Sequence, residues 1–307
     1  MLKINPLNKI ILAHISLFVA NLIYAINYTF AKDVMPGFIQ PSGFILLRVT
    51  GAVIFFSLIY FLFVNEKVAK KDIARLAICG VFGVAINQLF FFEGLNLTTP
   101  INAAIIMTIN PILVIIMSAL ILFEKINLRK GIGIALGLVG ASTLILAEGN
   151  ISGDTTYMTG NLFVFVNATS YGLYLVLLKP LMQKYHPFTV MFYVFAFGLL
   201  YVFPFGYSEL LVVEWSSFPS IIIYEVLFVV VCTTIIAYLL NSSALKLLNA
   251  STVSIYIYLQ PVLATLFAIF RGSDMLDEIK IMSALVIFIG VYLVSVEPLK
   301  ARKQKLS

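Results

Sequence analysis

The amino-acid sequence predicts an all-α, polytopic membrane protein of ten transmembrane helices built from two inverted five-helix repeats. Composition is the first of three observations behind this reading: of 307 residues, 61% are apolar and 11% charged, with a mean hydropathy of +1.04. Ordinary globular domains run at about 45–50% and about 25%, so this chain cannot cover itself with a solvated surface. The second observation is a succession of apolar runs of membrane-spanning length joined by short links, and the third is a register shared by the two halves. Abundant Phe (26) and Tyr (15), with only two cysteines, exclude disorder and a disulfide scaffold. A net charge of +6 would suit nucleic acid, but the basic residues gather on one side of a membrane, so no nucleic-acid partner is expected.

A hydrocarbon core of roughly 30 Å takes about 20 residues of helix. In order, the runs bounded by charge, proline or glycine cover 10–31, 42–64, 74–95, 101–123 and 129–147, then 159–180, 188–206, 221–243, 250–270 and 279–297. The first follows Lys3 and Lys9 as a signal peptide would, yet it is too long for an h-region and lacks a small-residue cleavage site, so it is expected to be retained. Short cytoplasmic loops retain Lys and Arg. With the N-terminus inside, sixteen of the 20 are cytoplasmic. They include Lys67, Lys70, Lys71 and Arg75 in one link, Lys125, Arg129 and Lys130 in another, then Lys179, Lys184, Lys246 and four in the C-terminal tail. Lys32, Arg271 and Lys280 lie outside, and Arg48 lies within the second run. Both termini are therefore expected in the cytoplasm, with Trp215 as an interfacial anchor on the outer link between runs seven and eight.

Residues 1–150 and 151–307 read as two copies. An offset of 150 superposes Leu95 on Leu245, Leu97 on Leu247, Pro111 on Pro261 and Gly140 on Gly290, with Glu124 on Asp274. At an offset of 147, Tyr24 meets Tyr171 and Lys32 meets Lys179. Five spans per copy is an odd number, so the second copy crosses the membrane in the opposite sense, an arrangement of secondary transporters whose sites lie near the midplane.

Three stretches resemble the EamA-type branch of the drug/metabolite transporter superfamily: Phe91-Phe92-Glu93-Gly94-Leu95-Asn96-Leu97-Thr98-Thr99, Asn110-Pro111 with Phe123-Glu124, and a weaker copy around Ala244-Leu245-Lys246 and Gln260-Pro261. The resemblance covers nearly the whole chain. It implies two tandem five-helix repeats, spans five and ten at the edge, and carriage of amino acids, other metabolites or drugs, mostly outward. Gly272-Ser273-Asp274 departs from the pattern where a glycine-glutamate pair is usual.

An unpartnered polar group in lipid costs several kcal/mol, so midspan polar residues face protein or a water-filled cavity. Asn21 and Tyr24 fall in span one, Asn87, Gln88 and Phe91 in span three, Asn167, Ser170, Tyr171 and Tyr174 on one face of span six, and Thr234, Tyr238 and Asn241 on span eight. They describe a neutral chamber of amides and aromatics. Interhelical hydrogen bonding alone would account for any one of them. Pro111 and Pro261 each remove a donor and free the carbonyl four residues earlier, Met107 or Ile257. Asn110, Gln260 and Tyr256 stand beside those breaks, which are read as hinges or gates rather than packed kinks. Arg48, Glu93 and Glu225 fall in the outer third, and an outer gate is expected in which Arg48 pairs with one of the two carboxylates; snorkelling is the alternative.

The expected substrate-binding set is therefore Asn21, Tyr24, Asn87, Gln88, Phe91, Asn110, Asn167, Tyr171, Tyr174, Tyr238, Asn241, Tyr256 and Gln260, with Arg48, Glu93, Pro111 and Pro261 as gate or hinge. Gly133 and Gly137 form a GxxxG for close helix packing, inside the chain or between protomers. His14 and His186, the only histidines, lie near span ends, so no metal is expected, and without a P-loop or hydrolase motif neither ATP use, a cofactor nor enzyme activity is. The sequence points to a secondary transporter exporting small polar or zwitterionic metabolites, amino acids foremost, by alternating access, as a monomer or homodimer in a bacterial inner membrane. Export of drug-like or apolar molecules is the alternative; a membrane-embedded enzyme, a channel or a non-transporting sensor are rivals of other classes. The absence of midspan Lys or Arg argues against a phosphorylated cargo.

Overall fold

A computed structural model describes residues 6–98, 100–123, 127–148, 155–271 and 278–295. Within them the chain forms helical rods and no strand, as it must where lipid offers the backbone no hydrogen bonds. In order they are α1 (Pro6–Val34), α2 (Pro41–Ile59, extended by a π-turn Tyr60–Val64), α3 (Lys70–Gly80, Val81–Ala85 and Ile86–Leu97), α4 (Pro100–Ile106, Met107–Ile109 and Asn110–Ile121) and α5 (Leu128–Glu148). Then follow α6 (Thr155–Lys184), α7 (Pro187–Leu211), α8 (Ser220–Phe228, Val229–Ile236 and Ala237–Leu247), α9 (Ala250–Ile255, Tyr256–Tyr258 and Leu259–Phe270) and α10 (Glu278–Ser295). Most rods outrun the apolar stretch that announced them, because their polar end turns are helical too. Prolines 41, 100 and 187 open α2, α4 and α7 at the position where a missing N–H costs nothing, and Asn65, in the left-handed region at φ 40°, closes α2.

Seven rods are long and apolar enough among the described residues to cross a membrane: α1, α2, α3, α6, α7, α8 and α9. The Met107–Ile121 part of α4 is a shorter apolar helix. Large apolar side chains point outward, with Phe63 77%, Leu120 71% and Leu200 67% exposed, while Asn110, Thr234 and Ser254 are wholly buried. This inside-out pattern suits a lipid solvent.

The most extensive helix pairs are α3–α6, α5–α10 and α2–α7, followed by α1–α8, α3–α7, α4–α6 and α1–α9. Exchanging the first five rods with the second five turns α3–α6 into α8–α1, α4–α6 into α9–α1 and α3–α7 into the less extensive α8–α2, and leaves α5–α10 and α2–α7 unchanged. Local irregularities obey the same exchange. The π-helical turns Val81–Ala85 and Val229–Ile236 occupy α3 and α8, and the 3₁₀ turns Met107–Ile109 and Tyr256–Tyr258 precede Pro111 and Pro261 in α4 and α9. A proline that cannot donate to the preceding turn accounts for the latter pair. Lys32 on α1 donates from Nζ to the carbonyls of Leu95, Asn96 and Thr98 at the end of α3 (2.9–3.2 Å). Lys179 on α6 donates to Leu245 and Leu248 at the end of α8 (2.6 Å each). Each ammonium thus neutralises the negative end of a helix dipole.

The GxxxG stripe works inside the chain: a Cβ on Gly290 of α10 would fall 2.6 Å from the Gly133 carbonyl oxygen and 2.8 Å from the Gly137 nitrogen of α5. Trp215 sits in the 3₁₀ turn before α8, 47% exposed and tilted onto Phe218. The expectations about Glu124, Asp274, Lys125 and the C-terminal tail fall outside the described residues.

Candidate substrate cavity

The irregular rods converge on a cavity of about 70 Å³, room for a few waters or, once side chains part, a small metabolite. Its wall takes Tyr24, Asn27 and Tyr28 from α1, Arg48 from α2, and Asn87, Phe91 and Phe92 from α3. Met107 of α4, Asn167 and Tyr171 of α6, Thr233 and Tyr238 of α8 and Gln260 of α9 complete it. Among the described residues no carboxylate lines it.

The π-turn of α3 releases backbone carbonyls sideways, as such turns do, and two neighbours collect them. Ser170 Oγ donates to Phe82 O at 2.6 Å, and the Tyr238 hydroxyl lies 3.0 Å from Gly83 O and 3.1 Å from Asn87 Oδ1. Gln88 Nε2 donates to that hydroxyl (3.2 Å), and Asn167 Nδ2 donates to Asn87 O (2.6 Å). On the other side Tyr28 OH donates to Gln260 Oε1 (2.8 Å), Gln260 Nε2 to Asn21 Oδ1 (2.8 Å) and Asn21 Nδ2 to Leu17 O (2.7 Å). Asn110 Nδ2, the counterpart of Gln260 one repeat earlier, donates to Ala168 O. The amides beside both prolines therefore clamp α9 to α1 and α4 to α6.

Of the residues expected from sequence, Tyr24, Asn87, Phe91, Asn167, Tyr171, Tyr238 and Gln260 line the cavity. Asn21, Gln88 and Asn110 stand behind it in the bonds just described. Asn241 Nδ2 donates to Tyr24 OH (3.2 Å), Tyr174 packs between Tyr171 and Tyr238, and Tyr256 OH meets His14 Nδ1 at 2.7 Å. Asn27, Tyr28, Phe92, Met107 and Thr233 were not anticipated. Asn27 and Tyr28 follow Tyr24 by three and four residues, the helical spacing that would have revealed them. The Met107 carbonyl, expected to be freed by Pro111, is not free: it accepts from Asn110 N–H in the 3₁₀ turn.

Arg48 requires a correction. It forms no ion pair with Glu93 or Glu225: Glu93 accepts from Ser42 Oγ (2.9 Å), and Glu225 lies 3.5 Å from Arg271, which also meets Asp33 at 3.2 Å. Arg48 is instead 2% exposed, donates from Nε to Thr234 Oγ1 (2.8 Å) and lies over the Phe92 ring, 4.3 Å from its centroid, with Nη1 unpartnered. Counting residues from the end of a span gives depth along that helix but not which neighbours its face meets. α2 packs most extensively on α7, but the side of it that carries Arg48 meets Phe92 of α3 and Thr234 of α8, which brings the guanidinium to the chamber. The chamber is therefore cationic, not neutral, and the argument from missing interior cations lapses.

Apolar rods that turn polar side chains inward onto a central cavity define a polytopic helical membrane protein with an internal site. Its family follows from comparison with known proteins. The model of the EamA-like transporter family matches residues 11–146 and again 158–296, and the chain belongs to that family. It is 24% identical over 259 residues to the Bacillus subtilis protein named "Uncharacterized transporter YyaM", covering 83% of this chain and 84% of that one. An uncharacterized transporter of Archaeoglobus fulgidus is 24% identical over 230 residues (74% and 78%), and the Arabidopsis thaliana WAT1-related protein At4g30420 is 26% identical over 198 (54% and 52%). A solved crystal structure matches 95% of this chain and 98% of its own at 20% identity, with a TM-score of 0.72, a likeness of fold.

Proposed function

We propose that this transporter is a secondary carrier of ten spans in two inverted repeats, exporting small carboxylate-bearing metabolites, amino acids foremost, by alternating access. The observation that carries the reading is Arg48, a buried guanidinium with an open Nη1 in a cavity that no carboxylate lines among the described residues. A buried cation is costly until an anion meets it, and a carboxylate fits guanidinium by two parallel hydrogen bonds. Asn27 and Asn167 each leave Oδ1 unpartnered in the same wall. These amide oxygens, with the tyrosine rings, suit an ammonium without fixing a full negative charge.

Alternating access draws support from the exchange of helix pairs, from the twin breaks before Pro111 and Pro261, and from the family model matching the chain twice. Five rods per copy makes the second copy inverted, so each break faces the opposite side of the membrane. Outward transport and an inner-membrane setting with both termini cytoplasmic rest on the family resemblance and on the asymmetry of basic residues. The test is counterflow in proteoliposomes of the purified chain, loaded with labelled amino acids, their amides or decarboxylated amines. Exchange of the acids but not of the amides or amines is expected; equal exchange of all three would overturn the carboxylate reading, and current without counterflow would replace the carrier by a channel.

A further inference from the structure

The end of the molecule rich in Lys and Arg carries a second built hollow, away from the cavity. Its wall is Lys71, Asp72 and Arg75 of α3 with Pro180, Leu181 and Lys184 of α6, enclosing about 400 Å³. Asp72 is 4% exposed, and its carboxylate is engaged: it accepts from Lys184 Nζ and from the Tyr185 hydroxyl at 2.7 Å. Lys71 and Arg75, one helical turn apart and exposed, form no ion pair among the described residues. Three cations against one spoken-for anion leave the hollow with an excess of positive charge. Arg75 and Pro180 also wall an adjoining groove of about 210 Å³ between α3, α4 and α6, whose remaining lining is Ile78, Ile121, Leu122, Val176 and Leu177. Ile78 and Ile121 are 46% and 43% exposed there. A polar cationic hollow and an apolar trough thus share Arg75 and Pro180 as a common wall.

We infer that this composite site holds one anionic glycerophospholipid, its phosphate between Lys71 and Arg75 and one acyl chain in the trough. A soluble anion would satisfy the two cations but leave the trough bare, and a zwitterionic lipid would bring a choline or ethanolamine cation against Lys184; the charge and the trough together select a negatively charged lipid. The groove shares two helices with the central cavity: α4 carries the Pro111 break, and α6 carries Asn167 and Tyr171.

The test uses the full chain purified into nanodiscs of phosphatidylcholine alone or mixed with phosphatidylglycerol, with thermal stability and native mass spectrometry of retained lipid as readouts. Phosphatidylglycerol should raise Tm and be retained over phosphatidylcholine. Lys71→Gln with Arg75→Gln should weaken that preference by roughly 30-fold, about fivefold for each basic residue near an anionic headgroup. Lys67→Gln with Lys70→Gln removes the same charge from the same end outside the hollow and should leave the preference standing. Ile121→Trp, which fills the trough, should also release the lipid. On the unaltered chain, inorganic phosphate and glycerophosphoglycerol should not reproduce the stabilisation. Equal loss in the Lys67/Lys70 pair would reduce the effect to bulk surface charge, and stabilisation by phosphate alone would make the ligand a soluble anion; either outcome overturns the inference, as does a phosphatidylglycerol effect that both site variants keep.

Discussion

Replacing Arg48 by glutamine removes one charge, one hydrogen bond and one ring contact from the cavity wall, and their energies have opposite signs. The Nε bond to Thr234 Oγ1 at 2.8 Å is charge-assisted, worth about 1.5–3 kcal/mol. The stacking over Phe92 at 4.3 Å adds about 2 kcal/mol in a desolvated setting. Against these stands the cost of burying a cation with Nη1 unpartnered, several kcal/mol even after relaxation. The sums nearly offset, so the Tm of the empty Arg48→Gln protein should move by only ~5 °C or less in either direction. Binding behaves differently, because a carboxylate that meets the guanidinium recovers the burial cost. Losing one partner of such a pair costs about 2–5 kcal/mol, hence at least a roughly 30-fold rise in Kd. Arg48→Lys keeps the charge without the planar fork and should fall between the two. Calorimetric titration of the counterflow substrate into the three proteins, with its amide as control, decides the matter. Unchanged Kd in Arg48→Gln, or an equal loss for acid and amide, would refute a carboxylate anchor and leave Arg48 a packing residue.

Two further outcomes follow from the rods themselves. Gly290→Val places a side chain against the backbone of Gly133 and Gly137 and should lower Tm through about 1–3 kcal/mol of overpacking, while Gly131→Ala, with nothing within 4 Å of its Cβ, should not; equal stability of both would mean that α5 and α10 pack less closely than drawn. Pro111→Ala with Pro261→Ala restores both missing donors and should raise Tm, since an interior proline costs about 3 kcal/mol, yet slow counterflow severalfold at unchanged substrate affinity. Full turnover in that double variant would remove the hinge role.

Much of this molecule was legible before any coordinates. Near-continuous apolarity leads to helices that satisfy the backbone in lipid, so the apolar runs fall on helical rods to within a few residues among the described residues, seven of them long and apolar enough to cross a membrane, and Pro111 and Pro261 announced breaks in the turns just before them. Polar midspan residues named six of the cavity-lining side chains because an amide or hydroxyl at midspan must find protein or water, and Phe91 beside them made a seventh. Sequence could not tell which amide faces the void and which stands behind it, as the neighbouring pair Asn87 and Gln88 illustrates, because that depends on the rotation of α3 against α6 and α8. Nor could it anticipate the π-turns at Val81–Ala85 and Val229–Ile236: no residue type dictates them, and at the first of them Ser170 and Tyr238 collect the displaced carbonyls from other helices. Arg48 is the clearest divide. Its charge and its place in the second run are written in the sequence, but whether it meets Glu93, headgroups or the chamber is set by helix packing, since a long side chain samples whatever lies on the face its helix buries.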